Sequence, residues 1–176
     1  MAIQRKRIRA LVHDLLASSA VTRAPVPVRK IARSQGARIV LKSLEGDLSG
    51  FLYRDENQAT IGVNTHHAPV RQDFTIAHEL GHLLLHDQQD PLHVDHKFSA
   101  RLRSDVSSQG TDEGEMEANH FAAELLMPHE FIAADLAQVH AVDLCDEELL
   151  PALARKYCVS VQALQYRLMN LGFIKS

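Results

Sequence analysis

The sequence predicts an α+β fold, because strand-like segments cluster early in the chain and amphipathic helical segments fill most of the remainder. Its 176 residues suit one compact domain with a real core. Apolar content is ordinary at 45%, with no Trp and few aromatics, so Leu, Ala, Val and Ile must build that core.

The elements follow in order. Ile3 to Leu16 places Ile8, Leu11, Val12, Leu15 and Leu16 on one side of a helix, and "TRAPVPV" breaks it. "VRKIARSQG" reads as a short helix closed by Gly36, and "ARIVLKSL" as a strand. "GDLSGFLYRDENQATIGVN" reads as two strands around a turn at "RDEN", a β-hairpin. "APVRQDFTIAHELGHLLLHD" is a helix that starts near Pro69. "QQDPLHVDHKFSARLRSDVSSQGTDEG" is polar and punctuated, and is expected to be a long loop. "EMEANHFAAELLM" is a helix ended by Pro128, and "HEFIAADLAQVH" a shorter one. The tail "EELLPALARKYCVSVQALQYRLMNLGF" reads as two helices around a tight turn, the second capped by Ser160. The expected organisation is an N-terminal helix over 1–25, a core over 26–140 and a helical pair over 141–176.

Bulk chemistry narrows the function. A net charge of −3 argues against a general affinity for nucleic acid. The N-terminal segment lacks the continuous apolar stretch of a signal peptide, and no run approaches a membrane span. Cys145 and Cys158 form neither a CxxC pair nor a disulfide framework. A soluble cytoplasmic protein is expected, and no pro-segment suggests a digestive enzyme.

The 11 histidines are unevenly spread: His66, His67, His78, His82, His86, His93 and His96 crowd one short stretch. In "HELGH", His78 and His82 lie one helical turn apart, so both imidazoles project from one face and can meet at a tetrahedral zinc ion. Glu79 lies beside them without ligating, free to act as general base on a water whose pKa the metal lowers to about 7. Ile76, Leu80, Leu83 and Leu84 would bury the other faces. A shuffled chain of this composition contains HExxH about once in 25 trials, so the reading needs a third ligand.

His86 does not supply it. Two turns separate it from His78, roughly 12 Å along the axis, which bonds of about 2 Å cannot bridge. It is expected instead at the helix end, exposed or facing the dipole. Glu115 in "EMEANHFAAELLMP" is the better candidate, because a carboxylate on a face with Ala118, Ala122, Leu125 and Leu126 needs a partner. Asn119 is placed to hold a ligand from behind. Glu117 is the second choice, pointing toward His120, Phe121 and Glu124. The histidines at 66, 67, 93 and 96 flank the zinc helix, and any of them could approach the metal as a donor to the oxyanion, but each by itself is read as a surface residue. Arg71, near the helix start, awaits an acidic partner or a substrate carbonyl.

"RQDFTIAHELGHLLLH" followed by "EMEANHFAAELLMP", with "LSGFLYRDENQATIGVN" upstream, resembles the ImmA/IrrE family of zinc metallopeptidases over residues 26 to 130. The resemblance implies a small antiparallel or mixed sheet packed on a zincin-like pair of helices, with additional C-terminal helices. It implies His78, His82 and Glu115 as zinc ligands, with Glu117 an alternative register, and Glu79 as the catalytic residue. Relatives of this kind cleave helix-turn-helix repressors, which implies a repressor-like protein substrate here. With about 25 residues ahead of the core, any DNA-binding partner is expected to be a separate protein. An extended substrate would pair with an exposed edge of the 48–63 hairpin.

Three functions compete on these grounds. An intracellular zinc endopeptidase leads. A metal-binding antirepressor or antitoxin-like partner with little turnover comes next. A DNA-binding regulator with a structural zinc is third: the C-terminal pair resembles a helix-turn-helix, with Gln162, Gln165, Tyr166 and Arg167 toward DNA. Residues 146 to 176 carry only Arg155, Lys156, Arg167 and Lys175 against three acids, so DNA binding is not favoured. The sequence leaves open the metal's identity, since His and carboxylate ligands suit several divalent ions, and the oligomeric state.

Overall fold

The computed structural model describes residues 4–45, 48–55, 58–86, 92–95, 111–137 and 147–174. In chain order these form α1 (Arg5–Ser18), α2 (Val28–Ser34), β1 (Ala37–Lys42), β2 (Gly50–Arg54), β3 (Ala59–Asn64), α3 (Pro69–Leu85), β4 (Leu92–Asp95), α4 (Thr111–Leu126), α5 (His129–Asp135), α6 (Leu149–Tyr157) and α7 (Val161–Asn170). The class is α+β, as the sequence predicts.

The sheet is mixed, in the order β1-β3-β2-β4. The expected hairpin is β2–β3, with Leu52 opposite Ile61. β1 runs parallel to β3, with Ile39 opposite Ile61. β4 pairs antiparallel with the other edge of β2, placing His93 opposite Leu52. This corrects two expectations. Residues 92–95 are a strand, although a polar loop was expected: Leu92 and Val94 alternate with His93 and Asp95 at the strand period, and β2 supplies the ladder. Among the described residues neither edge of the β2–β3 hairpin is open, since β1 covers one and β4 the other.

Sheet and helices meet through the inward face. Leu52, Ile61 and Val63 are fully buried beside Ile76, Ala77 and Leu80 of α3. On the outer face the Phe51 ring lies over Gly62, where a Cβ would stand 2.1 Å from the ring, so a side chain there would displace the ring. Arg54, on β2, donates from Nη2 to the carbonyls of His82 at 2.6 Å and His86 at 3.2 Å, placing a cation at the carbonyl end of α3. At the other end of α3, Arg29 of α2 donates to Asp73 at 2.7 Å and to Gln72 at 3.2 Å.

α4 lies against α3 and α1. It starts at Thr111, four residues ahead of the expected Glu115. α1 buries Ile8, Val12, Leu15 and Leu16, as its periodicity requires. One apolar core draws on every helix from α1 to α7. α5 stops at Asp135; the rest of its expected span, from 138, lies outside the described residues. Tyr157 of α6 donates to Asp135 at 2.7 Å, and Lys156 pairs with the same carboxylate, which fastens α6 to α5. Burial and then Asp135 push the Tyr157 phenol well above its ordinary range.

The C-terminal pair is helical, and Ser160 caps α7 by accepting from the Ala163 N–H at 3.1 Å. Arg167 cannot face DNA. It is buried, donating from Nε to the Met127 carbonyl at 3.0 Å and from Nη2 to the Glu124 carboxylate. No described helix is long and apolar enough to cross a membrane.

Candidate metal centre

α3 opens with Pro69 at its first turn, where a missing N–H costs nothing, and buries every residue from Thr75 to His82. That burial fixes His78 and His82, each only 1% exposed, one turn apart and on the side facing α4. Gly81 lets α4 approach. A Cβ at Gly81 would lie 3.1 Å from Ala118 Cα and 3.1 Å from Phe121 Cδ1, a backbone and a buried ring with little room to yield. The close helix pair brings Glu115 to the histidines.

Glu115 Oε2 lies 3.4 Å from His78 Nε2, and its Oε1 lies 3.2 Å from His82 Nε2. The two Nε2 atoms are 3.0 Å apart. His93, reaching in from β4, brings its Nε2 to 3.2 Å from Glu115 Oε1, with its ring 4.1 Å from that of His82. Behind His78, Nδ1–H donates to Asn119 Oδ1 at 3.0 Å, which leaves the Nε2 lone pair facing the cluster. Of the two partners open to Asn119, a ligand histidine or the carboxylate, it is the histidine that it holds.

Glu117 is elsewhere, accepting from the Gln4 N–H at 3.2 Å and standing 3.9 Å from His86 Nδ1. His86 forms the C-cap of α3, and its Nε2–H donates to the Gly114 carbonyl at 3.2 Å. It sits at the helix end as expected, but faces the start of α4 rather than solvent. His66 bonds the Ser43 hydroxyl at 2.8 Å, and Gln72 donates to the His67 carbonyl at 2.8 Å; neither imidazole joins the cluster. His96 lies outside the described residues. Arg71 donates to the buried Ser49 hydroxyl at 3.1 Å rather than to an acid. Glu79 is fully buried, next to His78 in α3.

The donor set fits a divalent ion. His78, His82, His93 and Glu115 each offer one atom, all within 4.8 Å of one another. Donors of a tetrahedral zinc site with bonds of about 2.0–2.1 Å stand about 3.3–3.4 Å apart. Separations of 3.0 Å between the two α3 imidazoles, 3.2 Å from Glu115 Oε1 to His82 and to His93, and 3.4 Å from Oε2 to His78 lie at or slightly below that value. His93 Nε2 is buried and makes no hydrogen bond among the described residues, so its nearness to Glu115 Oε1 is not explained by an N–H···O bond. Charge agrees. Burial pushes the His82 imidazole down to about 4, with His78 adding to the effect against the opposing Glu115. Burial alone would raise Glu115, but the imidazoles of His78, His82 and His93 outweigh it and hold the carboxyl far below its usual range. The centre thus holds an anion beside a His82 imidazole that resists protonation, which favours a cation.

Sequence reasoning missed His93. The signal was the strand-like alternation of "LHVD", which places residue 93 on one face; the pairing with β2 that turns that face toward α3 is not written in the sequence.

The profile of the Peptidase_M78 family, described as the IrrE N-terminal-like domain, matches residues 32–169. The chain belongs to this family. A search of curated proteins returned no match. Among solved structures, a Mycobacterium tuberculosis transcriptional regulator is similar at a TM-score of 0.63 and 16% identity, over 93% of this chain and 46% of that chain. That likeness concerns the fold, and this Peptidase_M78 chain spans less than half the length of the regulator. Membership supports a metallopeptidase class, and the four-residue cluster supplies the metal-binding group such a class requires.

Proposed function

We propose that the protein is a zinc-dependent endopeptidase of the cytoplasm, whose substrate is a helix-turn-helix repressor or a similar regulator protein. His78, His82 and Glu115 serve as the metal ligands and Glu79 as the general base. The observation that carries the reading is the convergence of both HExxH histidines with a carboxylate from a second helix at zinc-like spacings. The bound ion supplies Lewis acidity, polarising the scissile carbonyl and acidifying water.

The chain's own residues do the rest. Glu79, buried and one residue from His78, takes the proton of the attacking water on its carboxylate and returns it to the departing amine. Asn119 keeps the His78 Nε2 lone pair directed inward. The rigid burial of α3 holds the ligands without reorganisation. A regulator as target draws on the family and on the longer relative that is itself described as a transcriptional regulator.

The test is Glu79→Gln. One metal ion per chain should remain, while cleavage of a repressor encoded beside this gene falls by about 10²–10⁴ or more. Full cleavage by that variant sinks the mechanism. A second reading, a metal-binding antirepressor or antitoxin-like partner with little turnover, is favoured by the presence of four protein donors rather than three. A stable complex with the regulator, without cleavage in either protein, would select it.

A further inference from the structure

A hydrolytic zinc site keeps one coordination position open, and peptidases that read extended substrates need a free sheet edge beside it. In this chain both places are taken by the same four residues. β4 covers the outer edge of β2 from Gly50 to Tyr53, and the residue it sets opposite Leu52 is His93, the fourth donor. Leu52 is fully buried against the helices, so the face it shares with His93 is the one directed at α3.

β4 is lightly held. Its Leu92 is 51% exposed and lies opposite Tyr53, itself 42% exposed, so this cross-strand pair buries little. His93 is also the less buried imidazole, 19% exposed against 1% for His78 and for His82. β4 is held by backbone pairing, which any extended peptide can reproduce, and the His93 imidazole adds its contacts with Glu115 and His82. Exchanging one strand for another on β2 conserves the ladder bonds.

We propose that β4 is a resident stand-in for substrate, covering the β2 edge and placing His93 in the fourth donor position, and that an extended segment of the protein substrate gains the site by replacing β4. The proposal rests on the peptidase reading and adds its regulation: the free enzyme is closed, and the segment that opens it is the segment to be cut. Selectivity then follows from competition, because only a peptide that pairs with β2 better than β4 does uncovers the site.

The test loads the full chain with one cobalt(II) ion per molecule and titrates acetohydroxamate, following the visible absorption of the metal. If closed molecules outnumber open ones by about ten to one, His93→Ala and His93→Gln each tighten the apparent hydroxamate Kd about tenfold. Leu92→Asp leaves every donor in place but weakens the strand, and tightens it by up to about fivefold. Repressor cleavage should rise in the same order. Equal hydroxamate affinity in all four proteins overturns the proposal. So does loss of cobalt from both His93 variants, which would make His93 an indispensable ligand. Failure of the unsubstituted chain to take up cobalt overturns the metal reading along with it. If hydroxamate affinity rises as expected but no cleavage is ever seen, the closure stands and the peptidase reading falls.

Discussion

Helix α4 places Glu115 near its start and Glu124 near its end, and the groups that meet these two carboxylates differ. Glu124 is 3% exposed and meets the guanidinium of Arg167, 2% exposed, while its Oε1 accepts from the His129 N–H at 3.3 Å and lies 3.8 Å from Arg9 Nε. Its charge is balanced by permanent cations. Glu115, 36% exposed, meets three imidazoles, and burial drives that of His82 away from its protonated form. The first arrangement is finished by the chain itself; the second has no Lys or Arg among its described ion-pair partners. Of two acids on one helix, only the one without a permanent cation is suited to receive an ion from solution.

The largest expected effect separates these two ends. Arg167→Ala strands a buried carboxylate and should cost about 3–5 kcal/mol in denaturant unfolding, while metal stoichiometry in the surviving folded protein stays at one. Replacing the pair together, Arg167→Met with Glu124→Gln, should recover most of the loss; if it does not, the pair contributes more than charge compensation. At the other end, zinc at about 100 times its Kd should raise stability by about 2.7 kcal/mol. His78→Ala or Glu115→Gln should remove that gain, and a gain that survives Glu115→Gln would take this carboxylate out of the site.

Gly81→Ala probes the helix contact that brings Glu115 to the histidines. Crowding Ala118 and Phe121 should cost about 1–2 kcal/mol despite the better helix propensity of alanine, and should weaken zinc binding measured by chelator competition.

The smallest effect is in acid. His82 of α3 and His120 of α4 are both pushed down to about 4, in each case first by burial, and for His120 next by Arg167. Their folded values lie below the unfolded value of 6.5, so the unfolded chain binds more protons between the two. Stability of the metal-free protein should be full above about 6.5 and fall as pH drops toward 4. His120→Gln should flatten this decline, and an unchanged slope in thermal melts from pH 7 to 4.5 would remove His120 from the account.

What the sequence disclosed followed from local periodicity. The spacing of His78 and His82, the apolar stripe of α1, the hairpin and the Ser160 cap are short-range patterns that the structure repeats. What it withheld depended on contacts between distant segments. The parallel pairing of β1 with β3 and the strand at 92–95 are set by partners at 59–64 and 50–53, and neither segment announces its register. Arg167 was legible but misread. It neighbours Leu168 and lies three residues from Leu164 on the buried side of α7, so its helical position already argued against a DNA-facing role. Glu115 could be ranked above Glu117 from the sequence, and the structure places the two in separate contacts.

Arg54 ties the last carbonyls of the helix that carries His82 to the strand that β4 covers. Because one guanidinium spans both elements, the amides of β2 and of the final turn of α3 should exchange with deuterium as a single cooperative unit, opening together. Occupancy of the sheet edge would then reach His82 by two routes, through the His93 ring and through the backbone of its own helix.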